Sequence, residues 1–279
     1  MTMHTADSVA TSVAAALLDR LGRLDGLVVA FSGGVDSAVV LAAAVRALGA
    51  DAVLAAIADS PSLARAELAA ARRVAGQIGV QLLVLVTDEH VDPGYRANAG
   101  DRCYFCKRTV LAAVCDVAQR GGFAHVATGT HLDDRHAAHR PGLRAAAELG
   151  VCEPLAEMGV TKETVRLLAR HWNLSVCDKP STPCLASRIA VGVPVTVERL
   201  ALVERAELAG RQCLADNHVT VRDLRVRLLG RAGFRVELDR DALDGVSLPV
   251  REALLARVAE VGLGGQGDLA RYHSGSLSG

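Results

Sequence analysis

An α/β fold with a doubly wound parallel sheet, followed by a smaller C-terminal α+β domain, is the architecture this sequence predicts. Three observations carry that expectation. Short apolar runs bounded by turn residues alternate with helix-length patterns through the first half of the chain. The composition is 51% hydrophobic but only 3% aromatic, so the core is built from Ala, Val and Leu, which suits helices packed on a buried sheet. A length of 279 residues is enough for about two domains with a sizeable core.

The first apolar run, Leu27-Val28-Val29-Ala30-Phe31, stops at Ser32-Gly33-Gly34, and a charge-poor helical pattern over Ser37–Leu48 follows. That is strand, tight loop, helix. The unit then recurs: Ala52–Ala58 reads as a strand, Ser62–Ile78 as a helix, Gln81–Val86 as a strand, Lys107–Gln119 as a helix and Phe123–Thr128 as a strand. Such alternation predicts parallel strands covered by helices on both faces. Ligands of these sheets sit beyond the carboxyl ends of the strands, where Ser32, Asp59, Asp88 and Gly129 emerge. Past Gly129, His131–Arg140 is polar and His-rich, Thr161–His171 reads as a helix, and Cys177–Val195 holds three prolines among Ser, Thr and Gly. A linker is expected near Gly192, dividing the chain into residues 1–191 and 192–279. Beyond it a helix (Thr196–Leu214), two alternating strands (Val221–Leu228 and Phe234–Leu238) and a further helix (Pro249–Val261) compose the α+β domain. The Gly- and Ser-rich tail, Gly262–Gly279, is expected to order only against a neighbour.

Lys plus Arg and Asp plus Glu are equal at 31 each, so no global field draws the chain onto nucleic acid or anionic lipid. Nucleic acid is not expected as a partner. The longest charge-free stretch, Val74–Thr87, has fourteen residues, short of the roughly 18 to 20 that cross a bilayer. No basic region precedes the apolar run Val9–Leu18, which argues against a secretory signal. A soluble, cytoplasmic protein without a membrane partner is the expectation. Thiols stay reduced there, so the seven cysteines, with Cys103 and Cys106 in CxxC spacing, point to metal ligation or catalysis before disulfides.

The segment Ser32-Gly33-Gly34-Val35-Asp36-Ser37 lies between a buried strand and a helix. Two glycines let the backbone approach an anion while helix-terminal amides point at it, so phosphate or pyrophosphate is the expected ligand. The loop lacks the Gly-Lys-Ser/Thr ending of a Walker loop and the three glycines of the dinucleotide fingerprint. It resembles the pyrophosphate-binding loop of the ATP pyrophosphatases, the adenylating superfamily of asparagine, guanylate and NAD synthetases and of tRNA thiolases. That resemblance implies cleavage of ATP between its α and β phosphates, with an adenylate formed on a carbonyl or carboxylate oxygen. It also implies that Asp36 helps hold Mg²⁺ and that Ser32 and Ser37 bind phosphate oxygens. Charge neutralisation of the departing pyrophosphate is the physical need these groups meet. Asp59, just after the second strand, either meets the adenosine or caps the helix that starts near Pro61.

Further blocks narrow the resemblance. Asp101-Arg102-Cys103-Tyr104-Phe105-Cys106-Lys107, Gly129-Thr130-His131-Leu132-Asp133-Asp134, Arg140-Pro141-Gly142, Pro154-Leu155, Thr161-Lys162, Asp178-Lys179-Pro180-Ser181 and Cys184-Leu185-Ala186-Ser187-Arg188 stand in a common order. From about Leu27 to Ala242 the chain is similar to the LarE family of ATP-dependent sulfur transferases, which act in nickel-pincer cofactor synthesis. The resemblance implies adenylation of each carboxylate of pyridinium-3,5-biscarboxylic acid mononucleotide in turn, followed by displacement of AMP by a protein-borne sulfur. A carboxylate is a poor electrophile until its oxygen becomes a good leaving group, and a thiolate or sulfide is the strong nucleophile that then serves. The family also implies a homo-oligomer assembled through the second domain, with a hexamer as the suggested state.

The cysteines divide the family. Where only the Cys184 position carries one, that residue surrenders its sulfur and becomes dehydroalanine. Cys103 and Cys106 are present here as well, which resembles the branch whose three thiolates hold a [4Fe-4S] cluster with one iron free to carry sulfide from a donor. The sacrificial route and structural zinc are the alternatives. Cys115, Cys152, Cys177 and Cys213 read as small buried hydrophobes, although Cys177 lies only seven residues before Cys184.

In the second domain Arg225 and Arg227 alternate along a strand, so both guanidiniums leave one face and together suit a nucleotide phosphate. The resemblance adds a helical glutamate, matched to Glu207. Arg188, beside Cys184, is placed to neutralise adenylate or substrate. The sequence departs from the family pattern at His131, where Asn is usual, at Ile189-Ala190-Val191, at Leu228-Leu229, and by extra residues near Ala215–Val219. Three competing functions are weighed against this reading: a cluster-dependent tRNA thiolase, opposed by zero net charge and few aromatics; an ATP-sensing protein without turnover; and an ammonia-dependent ligase, which needs no CxxC.

Overall fold

The computed structural model describes residues 3–136 and 141–273. Arg140 and the last six residues of the tail lie outside the described residues. The chain folds as two compact units, one of Met1–Glu89 with Cys103–Thr182 and the other of His90–Arg102 with Pro183–Gly279. The second unit therefore starts nine residues before Gly192 and also takes in a segment from the first half of the chain.

The first unit opens with helix α1 (Met3–Leu21), an element not expected from the apolar run Val9–Leu18. Ala10, Ala14, Leu17 and Leu21, spaced four and three residues apart, form its buried stripe. Strand β1 (Leu27–Ala30), helix α2 (Val35–Leu48), strand β2 (Val53–Asp59), helix α3 (Arg65–Ile78) and strand β3 (Leu82–Val86) follow within one or two residues of expectation, apart from α3, which begins three residues late. The chain then passes through helix α4 (Pro93–Ala97), which belongs to the second unit, and returns with helix α5 (Arg102–Arg120) and strand β4 (Val126–Ala127). Only two residues of the run Phe123–Thr128 become strand, because β4 pairs with β1 through Val28↔Val126 and Val29↔Ala127 alone. Helices α6 (Leu132–His136), α7 (Pro141–Glu148), α8 (Pro154–Glu157) and α9 (Lys162–His171) complete the unit.

The sheet is parallel in the order β3-β2-β1-β4. Crossovers between parallel strands are right-handed, so the outward run β1 to β2 to β3 puts α2 and α3 on one face, and the return to β4 puts α5 on the other. The buried residues divide accordingly. Leu27, Val29, Ala55 and Ile57 pack with α1, α2, α3 and α9, whereas Val28, Ala56 and Val126 pack with Leu111, Val114 and Ala118 of α5 and Ala146 of α7. Helix α2 is buried continuously from Ser37 to Ala44, which explains its charge-poor, Ala-rich sequence: no side of it meets water. The winding reverses between β1 and β4, and their carboxyl ends are the ligand-binding crevice of such sheets.

The second unit is built on helix α10 (Val197–Asp216), strands β5 (Leu224–Leu228) and β6 (Phe234–Leu238), helices α11 (Arg240–Gly245) and α12 (Leu248–Ala259), and strand β7 (Gly267–Arg271). β5 and β6 are antiparallel, and β7 adds to β6 in parallel. Residues 267–271 thus order against their own chain, which corrects the expectation that the tail orders only against a neighbour. Asn98, 1% exposed, organises the segment that precedes α10. Its amide donates to the carbonyls of Ala190 (2.8 Å), Val193 (3.0 Å) and Ile189 (3.3 Å), its side-chain oxygen accepts from Arg102, and its carbonyl accepts from Gly192 N–H.

Candidate functional site

The predicted site residues fall into two sets, one in each unit. In the first, the loop between β1 and α2 is folded as an anion nest. Gly33 has φ +71°, and a side chain there would stand 2.8 Å from Ala71 Cβ, so both backbone and space require glycine. Ser32 and Ser37 hydroxyls lie 3.1 Å apart, Ser37 Oγ accepts from Ser32 N–H (3.2 Å), and Gly34 N–H is 3.4 Å from Ser32 Oγ. Gly34 is the N-cap of α2 and uses no side chain for capping, which leaves the helix-terminal amides to an incoming anion. Val35 is buried in the core and can serve a ligand only through its backbone. Gly129, at the carboxyl end of β4, packs against the start of α2: a Cβ would fall 2.5 Å from Ser37 N. Its role in this structure is to let β4 approach the nest.

Asp36, in the first turn of α2, accepts from Lys162 Nζ at 2.6 and 2.7 Å. Its surroundings continue through His131, whose Nε2 is 3.9 Å from Asp36 and 3.4 Å from Asp134. Asp133 caps Lys162 N–H (2.6 Å), so the two aspartates of α6 hold the histidine and the lysine in place. Asp59 pairs with Arg65 (2.6 Å) rather than capping a helix at Pro61. Next to it the buried Glu89 accepts from Ser60 (2.5 Å), Ser62 (3.2 Å) and Thr87 (2.9 Å), which ties the ends of β2 and β3 together. Lys162, Lys179 and Glu89 escape sequence reasoning as site residues. Lys162 and Lys179 stand in the quoted motifs, which is the one signal that could have singled them out.

In the second unit the chain around Cys184 is braced by Arg188. Its guanidinium donates to Glu207 Oε1 (2.9 Å) and Oε2 (3.4 Å), to the carbonyl of Cys184 (3.0 Å), to that of Pro183 and to Ser187 Oγ (3.1 Å). Glu207 Oε1 also accepts Val226 N–H (3.2 Å), so one carboxylate links the Cys184 turn to β5. On that strand Arg225 and Arg227 are both buried. Arg227 donates to Glu237 (2.9 Å) and to the carbonyl of Ser187 (2.9 Å). Arg225 lies over the Tyr272 ring, 5.3 Å from its centroid, and 3.6 Å from Asp223. Burial, and then the neighbouring charge of Arg188, pull the Arg225 guanidinium below its ordinary value.

Cys184 is exposed, as is Cys103, while Cys106 is half-buried. Cys103 and Cys106 stand three residues apart on the first turns of α5, on one side of the helix. They belong to the first unit and Cys184 to the second. Among the described residues no three His, Cys, Asp or Glu side chains are gathered to hold a metal ion. The three-thiolate cluster expected from the resemblance is thus not supported by a gathered ligand set among the described residues. Mg²⁺ makes a smaller demand, one or two carboxylates with the rest supplied by phosphate and water, and Asp36 beside the nest fits it. Burial raises the thiols of Cys115 and Cys213, in keeping with inert packing roles. No helix among the described residues is long and apolar enough to cross a membrane.

Comparison with known proteins agrees with this arrangement. The family model described as NAD synthase matches residues 13–98, the stretch from α1 through the nest to α4. An uncharacterized protein of Synechocystis sp. (strain ATCC 27184 / PCC 6803 / Kazusa) is 42% identical over 201 residues, covering 72% of this chain and 74% of its own. The pyridinium-3,5-bisthiocarboxylic acid mononucleotide synthase of Lactiplantibacillus plantarum is 33% identical over 193 residues, 69% of this chain and 70% of its own. The parallel sheet, its nest and its switch point are those of the adenine nucleotide alpha hydrolase-like fold of the ATP pyrophosphatases, and the chain belongs to the LarE family, that of the pyridinium-3,5-bisthiocarboxylic acid mononucleotide synthase.

Proposed function

We propose that this protein is an ATP-dependent sulfur transferase that converts carboxylates of pyridinium-3,5-biscarboxylic acid mononucleotide to thiocarboxylates. The observation that carries the reading is the nest at the β1/β4 switch point, with two serine hydroxyls, a positive-φ glycine and an acidic first turn. In this reading the helix-terminal amides, Ser32 and Ser37 receive the β and γ phosphates, and Asp59 lies toward the adenosine. Mg²⁺, carried in with the nucleotide near Asp36, supplies charge neutralisation for the departing pyrophosphate. Lys162 is displaced from Asp36 when the cation arrives, and its ammonium is then free to pair with a phosphate oxygen. Arg225 and Arg227 bind the phosphate of the substrate mononucleotide. Arg188 and Glu207 hold the Cys184 turn, so the thiol is presented without a large rearrangement of its backbone.

Cys184 is the sulfur-bearing residue in this scheme. Its thiolate attacks the adenylated carboxyl carbon, the C–S bond forms and AMP leaves with the C–O bonding pair. That step belongs to the route in which Cys184 gives up its own sulfur; in the other route the resemblance implies, Cys103, Cys106 and Cys184 would hold a [4Fe-4S] cluster that would supply donor-derived sulfide as the nucleophile in place of the Cys184 sulfur. Exposure of Cys184 leaves its thiol accessible for the sacrificial route. There, removal of the Cys184 α-proton expels the thiocarboxylate and leaves dehydroalanine. The deciding experiment is anaerobic turnover with ATP, Mg²⁺ and the biscarboxylic mononucleotide, following AMP, thiolated product, protein iron and intact mass. Product with a protein lighter by the elements of hydrogen sulfide supports the sacrificial route. Product with an unchanged mass and cluster iron lost in Cys103→Ser supports the cluster. AMP formation independent of the mononucleotide overturns the substrate.

A further inference from the structure

Lys179 joins the nest to the segment that leads to Cys184. Its Nζ donates to Glu67 Oε2 (2.7 Å) and to the carbonyl of Gly33 (3.1 Å). Thr182 Oγ1 donates to the same Glu67 oxygen (3.1 Å), and Arg166 donates to the carbonyls of Cys177 (2.8 Å) and Lys179 (3.4 Å). Lys179 and Glu67 are only 18% and 23% exposed, so water screens the pair little. Residues 177–182 are thereby moored to α3, α9 and the nest, all within the first unit.

Two physical consequences follow. A trans peptide is planar with its C=O and N–H antiparallel, so holding the Gly33 carbonyl on the Lys179 side turns the Gly34 N–H to the other side, where Ser32 Oγ stands. An anion accepting from that N–H polarises the peptide and strengthens its carbonyl as an acceptor, which tightens the bond to Lys179. Beyond the mooring, Pro180 and Pro183 stiffen the five-residue path from Lys179 to Cys184.

We infer that Lys179 is a positioning residue with a double action: it sets the Gly33–Gly34 peptide for anion binding, and it couples occupancy of the nest to the reactivity of Cys184. The inference rests on the reading of the nest as a pyrophosphate site. Coupling is reciprocal, so pyrophosphate that tightens the mooring restrains Cys184, and loss of the mooring weakens pyrophosphate.

The test uses the full chain with Mg²⁺-pyrophosphate as the probe, measuring its affinity by calorimetry and the rate of Cys184 alkylation by iodoacetamide by peptide mass spectrometry. In the parent protein, pyrophosphate should slow alkylation of Cys184 by about tenfold, a typical coupling. Lys179→Met should weaken pyrophosphate about tenfold and alkylate at one rate with or without saturating pyrophosphate, whereas Lys179→Arg retains most of both properties. Glu67→Gln leaves the Gly33 bond in place and should lose the alkylation response with a smaller loss of affinity, which keeps the test open if Lys179→Met folds poorly. Parental pyrophosphate affinity in Lys179→Met overturns the positioning role. A persistent response of Cys184 to saturating pyrophosphate in that variant overturns the coupling. A parent that binds pyrophosphate but shows no change at Cys184 also overturns the coupling, and a parent that binds none removes the nest reading itself.

Discussion

Replacement of Arg188 by methionine tests the brace around Cys184 most directly. The substitution keeps an unbranched stem in the cavity but removes every donor. Glu207 then keeps one bond, from Val226 N–H, and the carbonyls of Cys184 and Pro183 lose the guanidinium. Arg188 and Glu207 side chains are 5% and 13% exposed, so the discount for solvent that applies to surface pairs does not apply. Breaking a buried pair by deleting one partner costs about 3–5 kcal/mol, a large share of the roughly 5–15 kcal/mol that holds a native protein together. At about 2–4 °C per kcal/mol for chains of comparable size, the melting temperature should fall by about 6–20 °C. Differential scanning calorimetry reads that fall, and the rate of Cys184 alkylation should rise in parallel. Adding Glu207→Leu to Arg188→Met removes the stranded carboxylate and should recover part of the loss, by about 0.5–3 kcal/mol relative to additivity. A single variant melting within about 2 °C of the parent, with Cys184 alkylating at the parental rate, would refute the brace.

Asp36→Asn should abolish AMP formation while shifting the melting temperature little, because the Lys162 pair it breaks is about one-third exposed on each side; unchanged AMP formation would remove Asp36 from the site. Arg225→Ala should raise the KM for the mononucleotide more than it lowers kcat. Arg227→Ala should raise that KM too and in addition cost about 1.5–3 kcal/mol of stability, the worth of a hydrogen bond to a charged group, since it removes the buried bond to Glu237; denaturant titration reads the second effect. Asp239 gives a pH dependence. Burial alone would raise its carboxyl, but the N–H groups of Asp223, Arg222 and Ala242 together hold it below the ordinary carboxylate range. Its contribution is thus fully present above the unfolded value of about 3.9 and is lost as pH falls through the folded one. Asp239→Asn should cost about 1–2 kcal/mol at neutral pH and flatten the acid limb of the stability profile; an unaltered limb would count against it.

The parallel half of the fold was readable because each strand is a short apolar run and each helix carries its own period. β4 was overextended because an apolar run does not reveal how long a neighbour it finds. α1 was missed because Val9–Leu18 was weighed only as a leader. The nest was readable from six contiguous residues. Its partners were not: Lys162 meets Asp36 across 126 residues and Lys179 meets Gly33 across 146, and no local pattern encodes pairings at that separation. The position of Arg188 beside Cys184 suggests a ligand for adenylate or substrate but says nothing of the bonds its guanidinium makes to Glu207 and to backbone carbonyls. Burial of a charge depends on tertiary packing, which alternation along a strand cannot supply.

The second unit's possession of residues 90–102 bears on how the protein is made. Asn98 leaves the ribosome long before Ile189, Ala190 and Val193, the carbonyls it will hold. Until those arrive its amide lacks the three carbonyls and only Arg102 is at hand, while the chain from α5 to α9 can already condense on the earlier strands. The second unit must therefore complete late, around a segment of its own synthesised well ahead of the rest, and closing that long loop is an entropic cost met only near the end of synthesis. A fragment beginning at Gly192 lacks the residue that orders its own entry into α10, and it should be recovered as aggregate or as a loosely packed chain unless residues 90–102 are supplied in trans.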